Sequence, residues 1–273
     1  MIRRRRSDVV IEAIGIMIGL VFFFPFYIML VNSFKTKPQI FQNTLNLPGG
    51  LQWGNYIEAF RQLEFLQAFA NSLFITLCSI LLLIVCASMA GWKLVRTKSK
   101  LSSIVFFMFV SAILIPFQSV MLPLITIMGR LGFLNRLGLV FMYLGFGSSL
   151  SLFLYHGFIK SVPKELDEAA IIDGCNEFQL FGRVIFPILA PITLTVAILL
   201  TIWIWNDYLL PSLVINKEGM QTIPLQMFFF FGEYTKQWHL ALAGLTLAIL
   251  PVIIFYFSAQ KYIIRGVTQG AIK

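Results

Sequence analysis

The stretch KELDEAAIIDGCNEFQLFGRVIFP, residues 164–187, is a charged island in an apolar chain, and its reading decides the fold. It carries Lys164, Glu165, Asp167, Glu168, Asp173, Glu177 and Arg183, so it is solvated and not embedded in lipid. It also carries Leu166, Ile171, Ile172, Phe178, Leu180 and Phe181, in a segment too short to close a core around them. Some other surface has to cover these six. Pro163 suits a first helical turn, and Glu165, Asp167 and Glu168 favour the positive end of a helix dipole, which predicts a helix over about 163–173. Gly174 then stands where a helix ends in a left-handed residue, a conformation without steric cost only when there is no Cβ. Asn176, with Gln179 three residues on, has the capping-box pattern of a second helix start, and Pro187 marks the beginning of the next apolar span. The expectation is helix, sharp turn, helix, with Ala169 and Ala170 presenting a smooth face for close approach.

Around this island the 273 residues are 58% hydrophobic and only 12% charged, a balance that excludes an ordinary soluble domain. Uncharged runs cover 13–34, 65–92, 101–129, 137–159, 184–206 and 237–260, each longer than the roughly 20 residues that cross a bilayer core as helix. The fold class expected is all-α, a polytopic membrane protein with six transmembrane helices. The first run exceeds the apolar region of a cleaved signal, and no small-residue cleavage site follows Phe34, so it is kept as a span.

Lysine and arginine set the orientation, because they are retained on the cytoplasmic side during insertion. With six spans, one side receives Arg3 to Arg6, Lys93, Arg96, Lys98, Lys100, Lys160, Lys164, Arg183, Lys261, Arg265 and Lys273, fourteen of the 21 basic residues. The other side receives seven, and both termini are therefore expected in the cytoplasm. The net charge of +9 is this insertion signal together with attraction to anionic lipid headgroups, and it requires no nucleic-acid partner.

Cys78 and Cys86 fall in the second span and Cys175 in the charged loop, which is no disulfide framework. His156 and His239 lie at the ends of different spans without Cys, Asp or Glu at ligand spacing, so no metal site is expected. The sequence has no phosphate-binding glycine loop, no Gly-x-Ser-x-Gly and no His-Glu-x-x-His. A stand-alone ATPase and the familiar intramembrane hydrolases are thereby set aside.

Glu168, Ala169 and Ala170, then three residues, Gly174, nine residues, Val184, one residue, Phe186 and Pro187 resemble the EAA loop of bacterial ABC importer permeases. Val184 and Phe186 stand where the family pattern has Ile and Leu. The resemblance extends to NSF at 32–34, NYIEAF at 55–60, NSLFITL at 71–77, VPKELDEAA at 162–170, WNDY at 205–208 and RGVTQGAIK at 265–273. Together these look like the six-span permease of maltose-type carbohydrate importers, with the type I permease fold. The implied organisation is a cytoplasmic tail over 1–12 and a single permease domain over 13–273. That domain has its core at about 67–262, the coupling loop at 160–186 and a tail at 263–273.

This resemblance implies a bacterial inner-membrane subunit that pairs with a second homologous permease, two ATP-binding subunits and an extracytoplasmic substrate-binding protein. It implies no cofactor on this chain and no enzymatic activity, with ATP and Mg held by the partner ATPase. Glu168, Ala169, Ala170, Asp173, Gly174 and Pro187 take the coupling role, and a short rigid helix transmits displacement where a flexible loop absorbs it. In the tail, Gly266, Gly270 and Lys273 either reach the ATPase or fray. The substrate implied is a sugar or related polyol, which suits spans almost free of fixed charge. Asn206 and Asp207, about 30 Å along a helix from Pro187, belong at the outer interface as a helix cap or a partner contact. With Ser148 and Gln118 they are the candidates for the path, although Asn71, Ser111, Ser149 and Thr195 are polar too and packing uses the same residue types. Gly15 and Gly19 have the spacing of a close helix contact. The competing class is an ATP-independent secondary transporter or channel, which should show ion-coupling carboxylates within the spans or broken helices in repeated halves.

Overall fold

The computed structural model describes residues 6–231 and 237–271, the side chains of 6–10, 258–259 and 261–271 excepted. Among the described residues the chain is helical throughout, without strands. The helices are α1 (Arg6–Ser33), α2 (Lys37–Gln42), α3 (Gly54–Gln62), α4 (Phe65–Arg96), α5 (Lys100–Ala112), α6 (Phe117–Arg130), α7 (Arg136–Ile159), α8 (Glu165–Ile172), α9 (Glu177–Leu180), α10 (Phe186–Ile188), α11 (Ala190–Trp205), α12 (Leu209–Val214), α13 (Ile223–Met227) and α14 (Trp238–Ala271). A π-helical turn, Phe181–Ile185, joins α9 to α10.

Among the described residues four helices, α1, α4, α7 and α14, are long and apolar enough to cross a membrane singly, and the number rises to six if each of two bent pairs is one span. Two of the six expected spans are these bent pairs. The run 101–129 is α5 and α6, bent by 102°. Pro116 has no N–H to continue the ladder and drives Ile115 out of the helical region, so α5 ends before it and α6 starts after it. The run 184–206 is broken at Leu189, where the chain bends by 75° between Glu177–Ile188 and Ala190–Trp205. Pro187 lies in α10, just ahead of that break. Pro191 cannot donate to the Pro187 carbonyl, and the long helix starts at Ala190.

The chain forms two compact units. The first runs to Phe65 and includes Gln226–Ile254, and the second comprises Leu66–Leu225 and the chain from Phe255. In the first unit, α1 is 6% buried over its apolar window. Among the described residues no atom lies within 4 Å of the position a Cβ would take at Gly15 or Gly19, so these glycines make no close helix contact there. Beyond α1 the chain is tightly fastened. Lys35 is buried, with Nζ donating to Asn32 Oδ1 and the Asn43 carbonyl, both at 3.0 Å. Asn55 donates to the carbonyls of Ser33 and Lys35, and Tyr56 shares a 2.6 Å hydrogen bond with Ser33.

The second unit is built on α7, which packs against α5, α11 and α12. Its core holds Leu83, Leu139, Tyr143, Tyr155, Ile159 and Leu200. Gly147 lets α4 approach α7, since a Cβ there would lie 2.6 Å from the Leu83 side chain.

Candidate functional site

The island around Glu168 folds as its local signals predict, with α8 from Glu165 to Ile172 inside the expected 163–173. The three acidic residues of the first turn sit at its positive end. Gly174 has φ +82°, its N–H reaches the Ile171 carbonyl, and the Cys175 N–H reaches the Ala170 carbonyl, both at 3.0 Å. This double closure is a Schellman stop. One residue later Asn176 Oδ1 accepts the Gln179 N–H at 2.9 Å, and Gln179 Oε1 accepts the Asn176 N–H at 3.0 Å, which completes the capping box of α9. The turn is thus fixed by backbone chemistry on both sides.

Packing then holds the pair of helices on the end of α4. Asp167 is 9% exposed, and its carboxylate takes the Arg96 Nε at 2.6 Å, Arg96 Nη2 at 3.2 Å and the Trp92 indole N–H at 3.3 Å. Arg96 Nη2 also donates to the Val162 carbonyl at 3.2 Å. Trp92 and Phe181 rings lie 5.6 Å apart, and Ala170, Leu180, Phe181 and Ile185 join the same core. Lys93 pairs with Glu177 at 2.7 Å in the open. Asp167, Arg96 and Trp92 were not among the expected coupling residues. Asp167 stands directly before Glu168, but its partner lies 71 residues away and no spacing rule links them.

Of the six apolar side chains expected to need cover, Leu180 and Phe181 are covered by the chain itself. The remaining four face outward: Leu166, Ile171, Ile172 at 85% exposure and Phe178 at 78%. Glu168, Ala169, Asp173 and Gly174 are on the exposed side, Ala170 is on the buried side, and Pro187 is exposed before the break at Leu189. The structure therefore presents a rigid, polar helix–turn–helix with a bare apolar tip. Cys175 is half-buried against the core and not free in solvent.

The path candidates do not converge. Asn206 donates to the Ile202 carbonyl of its own helix at 2.8 Å. Asp207 caps the next turn through the Leu209 N–H at 3.0 Å and accepts the Tyr143 hydroxyl at 2.8 Å. Ser148 donates back to Gly145 and lines a 580 Å³ apolar cavity among α4, α5, α6 and α7, together with Ser149. Gln118 is exposed early in α6 and does not line that cavity. No hydrogen bond joins any two of these four among the described residues. Asn71 instead fastens the chain: it takes Arg136 Nη1 at 2.7 Å and donates to the carbonyls of Gly219 and Gln221 at 3.1 and 3.0 Å. In the tail, Gly266 and Gly270 lie on the backbone of α14, with their surroundings outside the described side chains, and Lys273 lies outside the described residues.

The family model for the binding-protein-dependent transport system inner membrane component matches residues 83–269. A probable starch degradation products transport system permease protein of Thermoanaerobacterium thermosulfurigenes is 55% identical over 260 residues, covering 95% of this chain and 95% of that protein. The melibiose/raffinose/stachyose import permease protein of Bacillus subtilis (strain 168) is 35% identical over 272 residues, covering 99% and 98%. Among solved structures, a bacterial ABC transporter involved in the import of the acidic polysaccharide alginate matches with a TM-score of 0.80 at 22% identity, over 96% of this chain and 99% of that one. At that identity the likeness shows the fold, and it is the all-α permease fold expected.

Proposed function

The chain belongs to the family of binding-protein-dependent transport system inner membrane components, and on that premise we propose that it forms, with a second permease, the path for a sugar in an ABC importer and is driven through residues 164–187. The chain is a multi-pass inner-membrane transport subunit and not an enzyme. The starch-product and melibiose-type permeases to which it is similar support an oligosaccharide as substrate. An extracytoplasmic binding protein delivers that substrate, and two ATP-binding subunits, holding ATP and Mg, hydrolyse on the cytoplasmic side.

The observation that carries the coupling role is the bare apolar tip on a rigid loop. Ile172 and Phe178 are almost fully exposed in a segment that is otherwise charged, and apolar area of this kind stabilises an interface when it is covered. The Schellman stop, the capping box and the Asp167–Arg96 pair make the loop stiff enough to carry a displacement into α4. The test is to replace Ile172 and Phe178 by Asp. The permease should still insert, but the ATPase subunits should no longer co-purify and uptake should cease. Stoichiometric ATPase retention with normal uptake would overturn the reading. Orientation is tested separately: in a cysteine-free chain, Asn216→Cys should react with an impermeant thiol reagent outside intact cells and Ser99→Cys should not.

A further inference from the structure

A second cavity, of 510 Å³, opens at the end of the second unit that also carries α8, walled by the last turn of α4, the first turns of α5 and the last turn of α7. Lys98, Lys100 and Lys160 line it and no carboxylate does. None of the three lysines forms an ion pair among the described residues. The α5 helix begins at this point: Ser99 Oγ accepts the Ser102 N–H at 3.1 Å, and the N–H of Lys100 has no acceptor among the described residues. Three positive charges and the positive end of a helix therefore surround one space.

A further observation concerns its inner wall. His156 lines the cavity at 8% exposure and stacks on Phe106 with ring centroids 3.7 Å apart, and its ring makes no hydrogen bond among the described residues. Leu94, Val95 and Phe107 complete the wall, and Phe107 is exposed, continuing the wall onto the outer apolar surface with Leu101 and Ile104. The site thus joins a cationic mouth to an apolar flank at the level where the spans give way to charged loops.

We infer that this cavity binds the headgroup of an acidic phospholipid, with an acyl chain running along Leu94 and Phe107. The phosphate sits between the lysines and the start of α5, and the His156 ring reaches a headgroup oxygen. A free phosphate shares the cationic contacts and gains nothing from the apolar flank, so the lipid is the occupant that uses both. The inference rests on the membrane-spanning character of the helices and is independent of the docking role of residues 164–187.

The purified transporter is reconstituted in phosphatidylcholine vesicles containing phosphatidylglycerol with a photoreactive diazirine on its acyl chain, and the label is mapped by peptide mass spectrometry. Label should concentrate on the peptide over 99–107 and should be absent when phosphatidylcholine bears the diazirine. The triple variant K98Q/K100Q/K160Q, whose changes are all on exposed side chains, should lose about fivefold in labelling for each lysine removed. H156F keeps the stack on Phe106 and loses the ring N–H, and should lower labelling by a smaller factor. Four results would each overturn the inference: equal labelling by the phosphatidylcholine probe, unchanged labelling in the assembled triple variant, competition by inorganic phosphate as strong as by unlabelled phosphatidylglycerol, or label that enters only after the ATPase is stripped. The third would mark a free-anion site and the fourth a protein interface.

Discussion

The two ends of α4 are fastened in the same manner and to opposite effect. At its last turn Arg96 grips Asp167, and at its first turns Asn71 grips Arg136 and the carbonyls of Gly219 and Gln221. Each polar side chain ties α4 to a loop far along the chain. The Arg96 end is ionic, bidentate and buried, and the loop it holds turns Ile172 and Phe178 outward. The Asn71 end joins mostly neutral groups, and the segment it holds turns inward, with Ile215, Gln221, Thr222 and Ile223 all buried. One loop buries its own apolar residues, and the other is held by the same kind of polar clasp with Ile172 and Phe178 left bare.

Gly174→Pro strikes the exposed loop hardest, because proline cannot take φ +82° and has no N–H for the Ile171 carbonyl. Uptake should vanish while immunoblots of the membrane fraction show normal levels, and near-normal uptake would remove the mechanical distinction between the two ends. Asp167→Asn or Arg96→Ala should come next. Each leaves a buried charge without its counter-ion, a loss of about 3–5 kcal/mol, read as a lower unfolding temperature and loss of ATPase stimulation by loaded binding protein. A swapped pair, Asp167→Arg with Arg96→Asp, should recover part of both. Asn71→Ala should cost less, about 1–3 kcal/mol for the carbonyls left unpaired. It should loosen 216–222 to protease while ATPase stimulation persists, and lost stimulation would mean that the two ends are coupled.

The smallest effect is expected at Asp207. Burial raises its carboxyl above the ordinary value, while hydrogen bonds from Tyr143 and from the N–H groups of Leu209, Leu210 and Tyr208 pull it back. With the folded value raised, the stability contributed by the protonated form is full below the unfolded pKa and is lost as pH rises through the folded one. Asp207→Asn keeps an acceptor for Tyr143 and removes the charge. It should therefore unfold slightly later than the wild type near neutral pH, with the gain shrinking in acid, as followed by thermal melts across pH in detergent.

Sequence carried the exposed loop almost completely because its rules are local. A glycine after the last helical residue and an Asn–Gln pair at capping distance dictate backbone within a few residues, and Gly174, Asn176 and Gln179 sit where those rules place them. The family motifs were legible as patterns but not as contacts. Ser33, Asn55 and Tyr56 meet in the first unit, and Asp207 of the WNDY stretch meets Tyr143, through hydrogen bonds that span 22, 23 or 64 residues. Apolar content was enough to count spans and too coarse to shape them. Pro116 was visible in the sequence, yet the unbroken hydrophobicity of 101–129 gave no measure of the 102° bend that its missing donor permits. Ser148 and Gln118 stand out in the sequence by polarity alone, and polarity within a span does not say which face a residue occupies.

The first helix bears on how this chain can change over time. Over its apolar window α1 is 6% buried, and none of the described residues approaches Gly15 or Gly19. A side chain that its own chain leaves bare is constrained there by transfer free energy and not by shape, so Phe22, Phe23 and Leu20 are interchangeable with other aliphatic or aromatic residues as far as this chain's own packing is concerned. Positions such as Leu83, fitted against Gly147, have no such latitude. Substitution should therefore accumulate unevenly along the chain, fastest where this chain's own packing leaves side chains bare.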